Sequence, residues 1–350
     1  MTDTVLASGT LTQRVQLIQD AMRRAGLQPA DMRRAGTLET DVQLPQMGGW
    51  NMNEVPRIER LEGEHDAICQ REITRRNESQ FKWFIDGSQK TMPVWRVGVV
   101  PIVVSIAVAG LLERHGDGSC EVVPGTLIES MAWIVPCQTS DPDIRTIVEI
   151  LEAHGQLVKD PLEACEDYQQ LSGMYDQVLY YANEMAGKLR SQAEFQVASM
   201  WEDNHRHAYP HNWLVIDGRL PLDASNAIGF IKNPESQHLV GKEAVTLLSL
   251  PAGYRTSAYR ISDRSRARTH WYQRMWPSDG MDARRALIRI EANGDMADQD
   301  EIDAISSWLM AERVPRPTSD SRWPTLLYPV HILERILKRR IDQITTGWPV

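Results

Sequence analysis

The chain is short of several features that would settle its class at once. Its 350 residues include four cysteines, at Cys69, Cys120, Cys137 and Cys165, and no two of them form a C-x-x-C pair. That spacing argues against a zinc site and, at this length, against a disulfide framework. Positive charge is not in excess. The formal net charge is −9, which removes any global electrostatic case for nucleic acid but not a local one, because binding depends on where charge lies. No apolar run is long enough for a membrane helix. The most hydrophobic stretch, VGVVPIVVSIAVAGLL at 97–112, contains Pro101 and is shorter than the ~20 residues a span needs. Its β-branched content reads as one or two buried strands. The opening MTDTVLASGTLTQ has neither a basic n-region nor an apolar h-region. The expectation is therefore a reducing, cytoplasmic protein that makes no use of a membrane. There is no G-x-S-x-G for a serine hydrolase and no Walker-type G-x-x-x-x-G-K-[ST], so ATP hydrolysis would have to come from another chain. Internal repeats and low-complexity linkers are also missing.

What is present is ordinary for a globular protein, with 42% hydrophobic and 24% charged residues. Residues 1–77 read as an N-terminal helical arm, in which LTQRVQLIQDAMRRAGL has helical spacing and Gly26 closes it. Residues 78–350 read as the main α/β domain. FKWFIDGS is its first strand, and the apolar run after Met92 is its second. SCEVVPGTLIESMAWIV gives a further strand, and DPDIRTIVEILEAHGQ is a helix opened by Asp141 and Pro142. The longest helix is YDQVLYYANEMAGKLRSQAEFQVASMWEDN. Val178, Ala182, Met185, Leu189, Ala193, Val197 and Met200 form its apolar stripe. Glu194 falls at the border of that stripe and Glu202 nearly opposite it. Strands follow at HNWLVIDGRL, NAIGFIKNPES, YRTSAYRI and RALIRIEAN. Helices then follow at DQDEIDAISSWLMAE and, from Pro329, at YPVHILERILKRRIDQ.

Two strands end alike, FIDGS at Asp86 and VIDGR at Asp217. Either pair alone reads as a turn. Two of them, with a long helix between, could bring carboxylates together at one end of a sheet. Clustered carboxylates raise one another's pKa, and a divalent cation with a taste for oxygen, Mg²⁺ or Mn²⁺, relieves the repulsion. Strand Asp, helix Glu, strand Asp and a late acid on a C-terminal helix is the order of a ribonuclease-H-like nuclease site.

The succession FIDGSQ, LRSQAEFQVASMW, WLVIDGRLP, IGFIKN, RIEA and YPVHILE resembles the NurA nuclease family over about residues 80–345. The resemblance implies a ribonuclease-H-like mixed sheet flanked by helices, behind a helical N-terminal extension. It implies a Mn²⁺- (or Mg²⁺-) dependent DNA nuclease, exonucleolytic or cutting single strands. It further implies a homodimer that works with a hexameric HerA-type ATPase in DNA end processing (repair) or anti-phage defence. The other reading is a catalytically silent adaptor that docks the same ring. By resemblance Asp86 and Asp217 are the two strand ligands. Glu194, preferred to Glu202, is the helix ligand, and Lys232 is the lysine that organises the acids or neutralises phosphate. The C-terminal position falls to Glu334 or His331, neither of which aligns cleanly, with Glu334 the candidate ligand.

Two other segments carry chemistry. HRHAYPH gathers His205, His207 and His211, a conceivable metal site or a polar loop. RISDRSRARTHWYQRMW interleaves arginines and aromatics. Arg264, Arg266 and Arg268 could hold phosphates there, and Trp271 and Tyr272 could stack bases.

Overall fold

A computed structural model describes residues 9–33, 37, 57–62, 67–74, 78–232, 238–261, 267–278, 280–313 and 323–349. The chain runs α1 (Leu11–Arg24), β1 (Ala30–Asp31), β2 (Ile58–Arg60), β3 (Gln70–Glu72), β4 (Phe81–Val97), β5 (Val100–Arg114), β6 (Cys120–Val122), β7 (Ile128–Ile134), α2 (Pro142–Ala153), β8 (Val158–Lys159), α3 (Tyr168–Ser172), α4 (Tyr175–Trp201), β9 (Trp213–Asp217), β10 (Ala227–Ile231), α5 (Gly241–Leu248), β11 (Tyr254–Thr256), β12 (Tyr259–Ile261), β13 (Arg268–Arg274), β14 (Leu287–Asn293), α6 (Gln299–Ala311) and α7 (Tyr328–Ile344). The strands form one mixed sheet whose main path is β2-β12-β13-β14-β10-β9-β4-β5-β7-β8. Its parallel pairs are β4–β9, β9–β10 and β7–β8.

Helices cover both faces. Side chains alternate along a strand, and β4 divides accordingly. Phe84 packs in one cluster with residues of α1, α2, α6 and α7. Trp83 and Ile85 pack in another with Ala193, Val197, Ala198 and Trp201 of α4. The small residues of α4 let it lie close on the sheet, and burying its stripe is what holds this long helix in place. The buried positions include Ala186, Ala198 and Trp201, so the stripe lies slightly to one side of the expected Met185 and Met200. Helix α2 begins as expected: the Asp141 side chain accepts from the Asp143 amide at 2.9 Å, with Pro142 in the first turn.

Two expectations are corrected. Among the described residues before 78 there is a single helix, and β1, β2 and β3 pair with β4, β12 and β11. Leu11, Val15, Ile18 and Met22 of α1 belong to the largest core cluster, so the described parts of this segment join the sheet and the core and are not all helical. Nor does the first strand end at Asp86. Antiparallel pairing with β5 carries β4 on to Val97, with Asp86 opposite Gly110. What ends there is the parallel neighbour, β9, at Asp217.

Gly229 of β10 maintains that ending. A Cβ there would lie 2.6 Å from the Gly218 carbonyl oxygen and 2.7 Å from the Leu220 amide nitrogen. Both are backbone atoms and cannot swing aside. Gly229→Ala is expected to cost about 1–3 kcal/mol by overpacking and to lower the melting temperature. Gly110→Ala, whose Cβ would meet only side-chain atoms at 3.4 Å or more, is expected to melt near wild type.

Candidate active site

The site forms where β9 and β10 stop beside the continuing β4. In the β4–β9 register Ile85 pairs with Ile216, so the next residues, Asp86 and Asp217, stand side by side on adjacent strands. Both project to the face covered by α7. There Leu333 and Leu337 fill the space above Gly110, the residue opposite Asp86. Asp86 is 5% exposed, and one of its carboxylate oxygens accepts from the Gly87 amide at 2.8 Å. Lys232, just past β10, reaches the same face and donates to Asp217 at 2.5 Å. Glu334 of α7 is buried there too and pairs with Lys338 one turn later at 2.8 Å.

Glu194 arrives from the other face. The two Asp-Gly pairs use glycine for different purposes. Gly218 has φ +123°, a conformation closed to most side chains, and turns the chain out of β9. Gly87 opens a window. A Cβ on it would sit 2.8 Å from Glu194 Cγ and 2.9 Å from its Cδ, so the Glu194 carboxyl occupies the room a side chain would have taken. Arg190, one turn earlier on α4, approaches Glu194 at 3.4 Å. Glu202 instead pairs with Arg206 at 2.8 Å in the π-helical turn that extends α4, and it does not line the groove.

The electrostatics follow from this crowding. Burial pushes the Asp86 carboxyl well above its usual range, and Asp217, Glu194 and Glu334 push it further while Lys232 opposes them. Burial raises Glu194 to about 7, with Asp217 adding and Arg190 opposing. These acids line a groove of about 1410 Å³, larger than the usual ~300–1,000 Å³ of a small-molecule pocket. Among the described residues that line it, seven lysines and arginines face six carboxylates. The groove is thus no more acidic than it is basic, in a chain of formal charge −9.

Among the described residues, no three His, Cys, Asp or Glu side chains are drawn together closely enough to hold a metal ion. The donor chemistry nevertheless fits a hard divalent cation: carboxylate oxygens in one groove, two of them raised in pKa by burial and mutual repulsion. Ligation would require Asp217 to exchange its bond with Lys232 for the ion.

Other sequence candidates lie elsewhere. Arg264 and Arg266 fall outside the described residues. Arg268, Trp271 and Tyr272 belong to β13, an interior strand, and are 6%, 0% and 2% exposed. Trp271 and Tyr272 are core residues with no face open to a base, and Arg268 is tied to Asp223 and to the Leu222 carbonyl. The base-stacking expectation is therefore corrected, because strand alternation and pairing on both sides bury what composition alone presents as a basic aromatic patch. His205 packs its ring on Trp83, centroids 4.7 Å apart. Neither it nor His207, His211 or His331 lines the groove. The groove's basic side chains Lys90, Lys188, Arg190, Arg219, Arg289 and Lys338 went unrecognised in the sequence. Lys188, Ser191 and Glu194 on one side of α4 carried a three-residue spacing that could have marked a polar stripe facing the acids.

Two expectations test this geometry. Gly87→Ala displaces the flexible Glu194 carboxyl, so it is expected to change stability by less than about 1 kcal/mol while moving Glu194 toward solvent and lowering its pKa, read by carboxyl NMR. In the metal-free protein, Glu194 is protonated in both folded and unfolded states below its ordinary value of 4.5. Between 4.5 and about 7 only the unfolded state ionises, so stability falls as pH rises through this window. Glu194→Gln is expected to match wild type near pH 4 and to exceed it above pH 7 by roughly 3 kcal/mol, measured by denaturant unfolding at each pH.

Among the described residues no helix is long and apolar enough to cross a membrane. Compared with protein-family models and with curated proteins, the chain matches none.

Proposed function

We propose that this chain is a divalent-cation-dependent phosphodiesterase of ribonuclease-H-like architecture that cleaves DNA, with Asp86, Glu194 and Asp217 as the residues that would hold the ion. The observation that carries the proposal is the pair Asp86 and Asp217 on adjacent parallel strands, with a third carboxyl, Glu194, reaching the same groove at Gly87. Two of these acids keep raised pKa values while lining one large groove, a combination that favours a functional over a purely structural use. Open α/β sheets bind ligands beyond the carboxyl ends of their parallel strands, which is where these acids lie. The NurA-like order of motifs supports the same reading, and with it a homodimer and a HerA-type ATPase ring as partner.

When bound, Mn²⁺ or Mg²⁺ would polarise the phosphodiester and activate water. The chain's own groups would do the rest. Asp86, fixed by the Gly87 amide, and Asp217 would present oxygens from one face of the sheet. Glu194 would contribute an oxygen from the other, after giving up the proton that it keeps up to about pH 7 in the metal-free protein. Lys232 holds Asp217 in place and would carry positive charge to a phosphate as that bond loosens. Glu334, paired with Lys338, would adjust the field on Asp86 and stands further from a ligand role.

Digestion of single- and double-stranded DNA with Mn²⁺ tests the reading, for the chain alone and with its ATPase. Wild type is expected to cut, and Asp86→Ala to lose roughly a hundredfold or more, about 3 kcal/mol of transition-state stabilisation. Intact DNA under both conditions would overturn the nuclease reading and leave the adaptor. Because the ligands must be deprotonated, Mn²⁺ affinity by calorimetry is expected to rise with pH through about 7.

A further inference from the structure

Arg289 of β14 is 3% exposed and lines the same groove as the acids. It pairs with Ile231, the residue before Lys232. It stands two strands from β9, so its backbone is ~10 Å from that of Asp217 at the usual interstrand spacing. By alternation it projects to the Glu194 face, whereas Asp217 and Lys232 project to the other. A strand of nucleic acid laid across the ends of β9 and β10 would meet the acids first and Arg289 next.

The guanidinium is held from behind. Its Nη1 donates to His238 Nε2 at 3.1 Å. Arginine has only donors, so Nε2 must accept, and the neutral ring then carries its proton on Nδ1. Nδ1 in turn donates to the Tyr259 hydroxyl at 3.1 Å. The Tyr259 ring is stacked on His270 and Tyr272, with centroids 5.6 and 6.3 Å away. His238, Tyr259 and His270 are each at most 1% exposed. A buried chain of this kind fixes the orientation of the side chain at its end, as supporting residues do for a binding group. What it orients is a planar, permanently charged fork suited to phosphate, and a phosphate would take the place of the further interaction that Arg289 makes besides the one with His238.

We propose that Arg289 is the groove's phosphate anchor. It binds a backbone phosphate flanking the one at the acids, and His238 is its positioning residue. The proposal rests on the nuclease reading of the acid cluster for its substrate class. The test uses the full chain in EDTA with a fluorescein-labelled single-stranded DNA oligonucleotide, read by anisotropy across a salt series, beside wild-type cleavage with Mn²⁺.

Arg289→Gln and Arg289→Met, folded by circular dichroism, are expected to bind about tenfold more weakly, with a salt slope shallower by about 0.7, one phosphate contact. His238→Gln keeps the charge and is expected to retain the slope while losing affinity a few-fold. Arg289→Lys is expected to do the same, and it stands in if the neutral variants fail to fold. Wild-type affinity and slope in the neutral variants would overturn the anchor, as would wild-type affinity in Arg289→Lys. Cleavage by wild type together with Arg289-independent binding removes the anchor alone. Arg289-dependent binding without cleavage removes the nuclease reading and keeps the anchor.

Discussion

The constraint on which the rest depends is a mismatch in strand length. β4 runs from Phe81 to Val97, while its parallel neighbour β9 stops at Asp217. Up to that point the two strands are locked by backbone pairing and by apolar side chains on both faces. Beyond it β4 stays paired with β5, and among the described residues its other edge has no strand partner until β1 meets Trp95 and Arg96, so a notch opens in the sheet. Asp86 and Asp217 stand at its corner. Burying a carboxylate is costly without compensation, and the fold meets part of that cost with the Gly87 amide and Lys232. The remainder persists as the raised proton affinity of Asp86 and Glu194.

The same notch explains why both helical layers contribute to one groove. A continuous sheet separates its two faces. Where it is interrupted, α4 and α7 come within reach of a shared space, and Glu194 and Glu334 approach it from opposite sides. Lys232 and Arg289 continue the arrangement across β10 and β14, one on each face. Charge of both signs thus meets in the groove, with Lys232, Arg190 and Lys338 each beside a carboxyl and Arg289 two strands from β9.

Much of this was legible in the sequence. The two Ile-Asp-Gly strings were strand-borne, the apolar stripe of α4 put Glu194 near its edge, and Lys232 followed the next strand. Local periodicity carries that kind of information. Strand extent was not legible: nothing in FKWFIDGSQK announces that β5 will hold Ser88 onward in the sheet, because the pairing partner lies some twenty residues away. The fate of RTHWYQR was hidden for the same reason. Arginine and aromatic rings look like a nucleic-acid surface until strands close over them on both sides and Asp223 takes up Arg268. Nor could the glycines be told apart. Gly218 serves a turn and Gly87 serves the Glu194 side chain, yet both follow Ile-Asp.

The Gly87 window has one more consequence. Glu194 is aligned by the absence of a side chain on a strand it does not belong to, so its placement is encoded by two residues more than a hundred positions apart, one of which contributes no side-chain atoms. Substituting the acid and substituting the glycine would then be alternative ways of losing the same group. In a deep mutational scan the two positions should behave as a single locus, with the glycine as intolerant as the carboxylate it accommodates.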